Sequence, residues 1–176
     1  GGHSDLLLGA VSVAHEGAYA AVGRAYRLMG MAVSPDDCAM AIRGLQTLGV
    51  RLDRLERSTL EVARWLQARP EVATVLHPAL PDCPGHAIWT RDFTGSASVF
   101  SIVLADDWTA KRTARFVDGL RLFRIGFSWG GATSLVMAYP DLARLGERRE
   151  RLVRLNVGLE EPADLIEDLG QALERA

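Results

Sequence analysis

Lysine is almost missing from this chain: of 20 basic residues, Lys111 alone is lysine and the rest are arginine. Lys111 has charged neighbours and no apolar pocket suggested around it, so it reads as an ordinary surface residue. Cysteine is equally scarce. Cys38 and Cys83 fall on what read as a helix and a loop, which indicates no disulfide framework and leaves a reducing cytoplasm as the default compartment. No apolar run reaches the roughly 18 residues of a membrane span. Gly1-Gly2-His3-Ser4-Asp5 has neither the basic region nor the apolar core of a secretion signal, and there is no initiator methionine. Blocks of like charge are also absent and the net charge is only −2, so nothing points to nucleic acid.

What is present is an ordinary globular composition, 48% hydrophobic and 24% charged, which argues against a disordered or fibrous chain. A length of 176 residues allows one domain, or a small domain plus a piece of another.

Residues 4–13 form a short apolar stretch without helical spacing and are expected to be a buried strand, with a free edge if the chain truly begins at Gly1. His3, Ser4 and Asp5 are adjacent and cannot converge as a catalytic triad does. Tyr19, Val22, Tyr26 and Met29 at helical spacing predict a helix over 17–33. A second helix is expected at Ser34-Pro35-Asp36-Asp37, where Ser34 can cap, Pro35 fits the first turn and the aspartates suit the dipole. From there an apolar stripe from Ala41 to Leu66, spaced alternately four and three, carries this helix on until Pro70 ends it and predicts a length of about 50 Å at about 1.5 Å per residue. A coiled-coil dimer and a spine between two domains both fit such a stripe.

Val72–Leu76 and Ser98–Leu104 read as strands, separated by the proline-rich loop 77–86. His77, Cys83 and His86 in that loop offer three ligand types, but their spacing fits no closed four-ligand zinc template, so no metal site is expected. Thr109 is placed to cap a helix to Leu120, with Lys111, Arg112 and Arg115 on a solvated face. A short helix is expected over Ser134–Ala138, and a charged connection over 141–151. Leu152–Val157 then reads as a strand, and Pro162 opens a last helix over Asp164–Arg175. The order from Val72 onward predicts an α/β sandwich, a small sheet with helices on one face.

Two segments carry chemistry. Phe127-Ser128-Trp129-Gly130-Gly131 is a glycine-softened loop with a hydroxyl and backbone N–H groups, and Arg154 lies within the alternating strand pattern Leu152-Val153-Arg154-Leu155-Asn156-Val157. A guanidinium fork matches a carboxylate bidentately, so together they suggest half of a small-acid site. A plain turn, a core-packed Trp129 and a salt-bridged strand arginine are the competing structural readings.

Leu122-Phe123-Arg124-Ile125-Gly126 with this loop, then Ser134-Leu135, Arg154 to Glu160 and Asp164 to Leu169 resemble, in order, the C-terminal part of the pyridoxal-phosphate-dependent enzymes of cysteine and methionine metabolism. Gly2-His3-Ser4-Asp5 with Gly9, the run Arg43 to Arg51, and His86 to Gly95 continue the likeness over nearly the whole chain. Phe127 and Trp129 are similar to the bacterial cystathionine beta-lyase branch, where gamma-lyases and gamma-synthases tend to glutamate before the serine and leucine after it. Thr133 and Ala132 depart from the family, which usually has glutamate and an aromatic residue there.

The resemblance implies the small C-terminal domain of a type I, aspartate aminotransferase-like fold over 45–176, with a long linking helix. It also implies the tail of the large cofactor-binding domain over 1–44. Pyridoxal 5'-phosphate is the implied cofactor and acts as an electron sink while a Cβ–S bond breaks. Its lysine would lie just before Gly1, so no catalytic residue is expected in this chain, the chain alone is expected to be inactive, and its cofactor contacts are unassigned. Arg154, Ser128 and the backbone N–H of Trp129 would bind the substrate α-carboxylate. The implied reaction is β-elimination of cystathionine to homocysteine, pyruvate and ammonia, in methionine biosynthesis, by a cytoplasmic homotetramer. A gamma-lyase or gamma-synthase relative, and a non-catalytic binding or assembly module of the same fold, are the alternatives.

Overall fold

Polar and apolar residues alternate along the strands in a way that leaves one sheet face for a core and the other for a site. In the computed structural model, which describes residues 1–139 and 151–176, the chain divides into two compact units, Gly1–Leu48 and Gly49–Ala176. The charged connection expected over 141–151 lies outside the described residues except for Arg151.

The first unit holds α1 (Glu16–Leu28) and α2 (Pro35–Leu45). Ser34 caps α2 as expected, its hydroxyl accepting from the Asp37 N–H at 3.0 Å, with Pro35, Asp36 and Asp37 in the first turn. Two expectations are corrected here. Residues 4–13 form no strand: Leu7 and Val11 are exposed, and within this unit no strand offers the ladder partner that an extended backbone needs. The apolar stripe from Ala41 to Leu66 is not one helix either. Gln46 and Thr47 form a turn, in which the Thr47 N–H bonds back to the Gly44 carbonyl, and α3 (Leu48–Gln67) begins afresh. Gly44 and Gly49 flank the break, and glycine lowers the cost of leaving the helix. α3 is therefore about 30 Å long at about 1.5 Å per residue.

The second unit is built on a five-stranded mixed sheet of β1 (Val72–Leu76), β2 (Val99–Leu104), β3 (Arg124–Ile125), β4 (Leu135–Ala138) and β5 (Leu152–Asn156), in the order β1-β2-β5-β4-β3. All pairs are antiparallel except β3 with β4. A bulge between Val72 and Thr74 lets both Val72 and Val75 face inward. The expected helix at Ser134–Ala138 is β4 instead. Five residues are too few to hold a helix unaided, whereas pairing with β5 satisfies their backbone and buries Val136 opposite Leu155.

Phe100, Ile102, Val153, Leu155 and Val136 share one face of the sheet by register, and they join a single core with Val62 and Leu66 of α3, Phe116 of α5 (Ala110–Gly119), and Leu165 and Leu169 of α6 (Pro162–Arg175). Each such side chain contributes about 1.5–3 kcal/mol on burial. Only the later part of the α3 stripe serves this core: Leu55, Thr59, Val62 and Leu66 are buried, whereas Leu52 is exposed. Thr109 caps α5 as expected, accepting from the Arg112 N–H. α4 (His86–Asp92) follows the proline-rich loop, over residues to which the sequence pattern assigns no element.

Asp168 on α6 fixes the chain before β3. Its carboxylate accepts from the backbone N–H groups of Arg121 and Leu122 at 2.8–3.0 Å, so the segment leading to Gly126 and Phe127 starts from a pinned point.

Candidate functional site

Register decides which face Arg154 occupies. It pairs with Ser101 on β2 and Met137 on β4, whereas its neighbours Val153 and Leu155 are fully buried in the core, so Arg154 projects from the sheet face away from α5 and α6. Its side chain is half-buried. Nη2 donates to the carbonyls of Gly126 at 3.2 Å and Phe127 at 2.8 Å, and the guanidinium carbon lies 5.8 Å from the centre of the Tyr139 ring. Among the described residues no carboxylate pairs with it.

The same contacts bring Arg154 to the loop that carries Ser128. Ser128 and Trp129 are both exposed, Trp129 by 67%, so the core-packing reading of Trp129 fails. The loop turns at Gly130, whose φ of 74° lies in the left-handed region that suits glycine. Thus the structure places Ser128, Trp129 and Arg154 on one side of one unit.

Sequence reading passed over two residues that hold this loop. Asn156 is fully buried; its Oδ1 accepts from the Gly130 N–H and the Ser98 hydroxyl, both at 2.8 Å, and its Nδ2 donates to the Thr133 carbonyl at 3.2 Å. Glu160 accepts from the Ser134 N–H at 2.9 Å and from the Ser134 hydroxyl at 2.8 Å, while that hydroxyl accepts from the Gly158 N–H. Period two along Arg154-Leu155-Asn156 was the available signal for Asn156. Glu160 had none, because its role depends on a backbone approach at Gly158, where a Cβ would press on the Ala132 carbonyl and lie 2.7 Å from the Ser134 nitrogen. Thr133 and Ala132, the two departures, therefore contribute main-chain carbonyls to the bracing of the loop, the second accepting from the Leu159 N–H.

The three residues considered for zinc are engaged in local structure. His77 is buried beside Phe100; its Nδ1 accepts from the Ala79 N–H at 3.2 Å, and burial pushes its pKa down. His86 meets the Pro78 carbonyl through Nδ1, and Cys83 is a free thiol whose pKa is raised by burial. Cys38 is free as well. Lys111 is exposed on α5, a helix that covers the opposite sheet face from Arg154. Among the described residues no helix is long and apolar enough to cross a membrane.

A small mixed sheet with helices on its core face, and an arginine and a serine loop on the other, define a small-sheet α/β unit as the class. The sequence profile of the Cys/Met metabolism PLP-dependent enzymes matches residues 1–174, and the chain belongs to that family. It is 48% identical to the cystathionine beta-lyase of Bordetella avium over all of this chain and 45% of that protein. It is 41% identical to the cystathionine beta-lyase MetC of Escherichia coli and 36% identical to the cystathionine gamma-lyase of Rattus norvegicus, in each case over 99% of this chain and 46% of the relative. The chain thus spans a little under half the length of the curated relatives it matches.

Family membership implies pyridoxal phosphate as cofactor. Lys111, exposed and beside Arg112 on the far side of the sheet, does not fit the lysine that would carry it.

Proposed function

We propose that this chain is the C-terminal, substrate-side part of a pyridoxal-phosphate-dependent C–S lyase that carries out β-elimination of cystathionine, and that Arg154, Ser128 and the Trp129 N–H bind the substrate α-carboxylate. The observation that carries this is Arg154 itself: a half-buried guanidinium anchored beside an exposed serine with no carboxylate partner among the described residues. A cation so placed attracts an anion of matching shape. The cofactor, when bound, supplies the electron sink for cleavage of the Cβ–S bond.

The residues of this chain orient and do not perform the bond cleavage. Both forks of a guanidinium, side-on and end-on, include Nη2, the atom now held by Gly126 and Phe127. A bidentate carboxylate therefore replaces one of those carbonyl contacts, and Gly126, at 3.2 Å, is the longer of the two. Binding of the carboxylate and adjustment of the loop are one event in this reading. Fixing the carboxylate fixes the direction of the Cα–H bond, which elimination requires.

The first unit, with Leu7, Tyr19, Leu28 and Met29 exposed, resembles a piece of a larger core more than a finished surface, which supports reading it as the tail of a cofactor-binding domain. On this reading the cofactor is held mainly by other parts of a longer polypeptide, this chain alone is inactive, and the full protein is a cytoplasmic homo-oligomer. The beta-lyase reading is preferred over the gamma-lyase one because identity is 48% to the former relative and 36% to the latter.

Incubating the full-length protein with cystathionine tests this. Equal amounts of pyruvate and homocysteine are expected, whereas cysteine and 2-oxobutyrate would move the assignment to a gamma-lyase. No turnover at all, with the cofactor bound, would favour a non-catalytic assembly module.

A further inference from the structure

We propose that Asn156 is a positioning residue for substrate binding, acting through the Gly130 peptide to hold the Ser128 loop in its carboxylate-binding form; this rests on the reading of Arg154 and Ser128 given above. Asn156 is two residues beyond Arg154 on β5 and fully buried, and every polar atom of its amide is used. Oδ1 takes two donors, the Gly130 N–H from the loop and the Ser98 hydroxyl from the residue before β2. Nδ2 gives a proton to the Thr133 carbonyl on the far side of the same loop. One side chain thus ties the loop to the sheet at two points, either side of the Gly130-Gly131 turn.

The Gly130 contact has a consequence one residue upstream. A trans peptide is planar, so an N–H directed at Asn156 directs the Trp129 carbonyl the opposite way, away from the buried amide. The glycine at φ 74° would otherwise let this peptide rotate at small cost, as no Cβ opposes it. The neighbouring peptide carries the Trp129 N–H proposed to meet the carboxylate. Asn156 therefore decides which backbone groups the loop shows to a substrate, without touching it.

Ser98 provides an internal control. Its hydroxyl shares Oδ1 but comes from the residue before β2, outside the loop, and its removal leaves both loop contacts of Asn156 in place.

The test uses the full-length holoenzyme. Asn156→Ala and Asn156→Ser both lack the reach to bond Gly130 and Thr133 together, and the serine variant keeps a polar residue on the strand so that folding is preserved. Each is expected to raise KM for cystathionine about tenfold, the worth of about one such hydrogen bond, with kcat within about threefold. Backbone hydrogen exchange in peptides covering 126–134 should quicken by a similar factor, while Ser98→Ala leaves both readouts within about twofold. Arg154→Gln is measured alongside. A KM that rises in Arg154→Gln but not in the Asn156 variants overturns the positioning role alone. Ser98→Ala matching the Asn156 variants also overturns it, since the effect would then be one of strand packing. A KM unmoved by Arg154→Gln removes the carboxylate site, and the positioning role falls with it.

Discussion

Replacing Arg154 isolates the proposed carboxylate contact, and its magnitude can be worked from the geometry. A bidentate carboxylate makes two hydrogen bonds between opposite charges, each contributing about 1.5–3 kcal/mol, and gives up one longer contact to the uncharged Gly126 carbonyl that contributes about 1 kcal/mol. The net is about 2–5 kcal/mol, which at about 1.4 kcal/mol per tenfold is about 30- to 4,000-fold in kcat/KM for Arg154→Gln. Arg154→Lys keeps the charge and loses the fork, so a loss of about tenfold is expected, between wild type and Arg154→Gln. The assay is steady-state turnover of cystathionine by the full-length enzyme, repeated with an analogue in which the α-carboxylate is an amide. Against the amide, the penalty of Arg154→Gln should largely disappear, because the interaction it removes is already gone. An equal penalty on acid and amide would refute the reasoning: Arg154 would then act through the loop carbonyls it holds and not through the substrate.

Gly158→Ala should destabilise the folded protein by about 1–3 kcal/mol, since its Cβ meets the Ala132 and Ser134 backbone, and a lowered urea midpoint would show it. Asp168→Ala leaves the Arg121 and Leu122 N–H groups unpaired and should cost about 2–4 kcal/mol, read as a fall in thermal midpoint. His77 gives a pH signature: its folded pKa is held below the free value of 6.5 by burial, so its contribution to stability is complete above that value and is lost as pH falls through the folded pKa. Urea midpoints at pH 7.5 and 5.5 should therefore differ more in wild type than in His77→Phe, which cannot take up the proton.

Much of the helix and strand pattern in both units could be read in the sequence because its signals are local. Ser34 and Thr109 cap by hydrogen bonds to residues three positions on, and β5 alternates with its own period. Where a segment depends on distant partners, local reading went astray. Ser134–Ala138 is a strand because β5 lies beside it, and residues 4–13 are not one because their unit offers nothing to pair with. The stripe through Ala41–Leu66 has helical spacing across the turn at Gln46–Thr47, and periodicity alone does not register a two-residue break. At the site, Arg154 and Ser128 stood out by residue type and by their likeness to a family. The parts that hold them, Asn156, Glu160 and Asp168, reach between 23 and 47 residues along the chain to their loop partners, and no spacing rule reveals such pairs.

The most direct measurement is a crystal structure of the full-length enzyme with a bound amino-acid thioether. The α-carboxylate is expected on the Arg154 guanidinium in a two-point contact, with an oxygen within hydrogen-bonding reach of Ser128 or the Trp129 N–H and the Gly126 carbonyl released. A carboxylate held by other residues, with Arg154 still closed on Gly126 and Phe127, would contradict it.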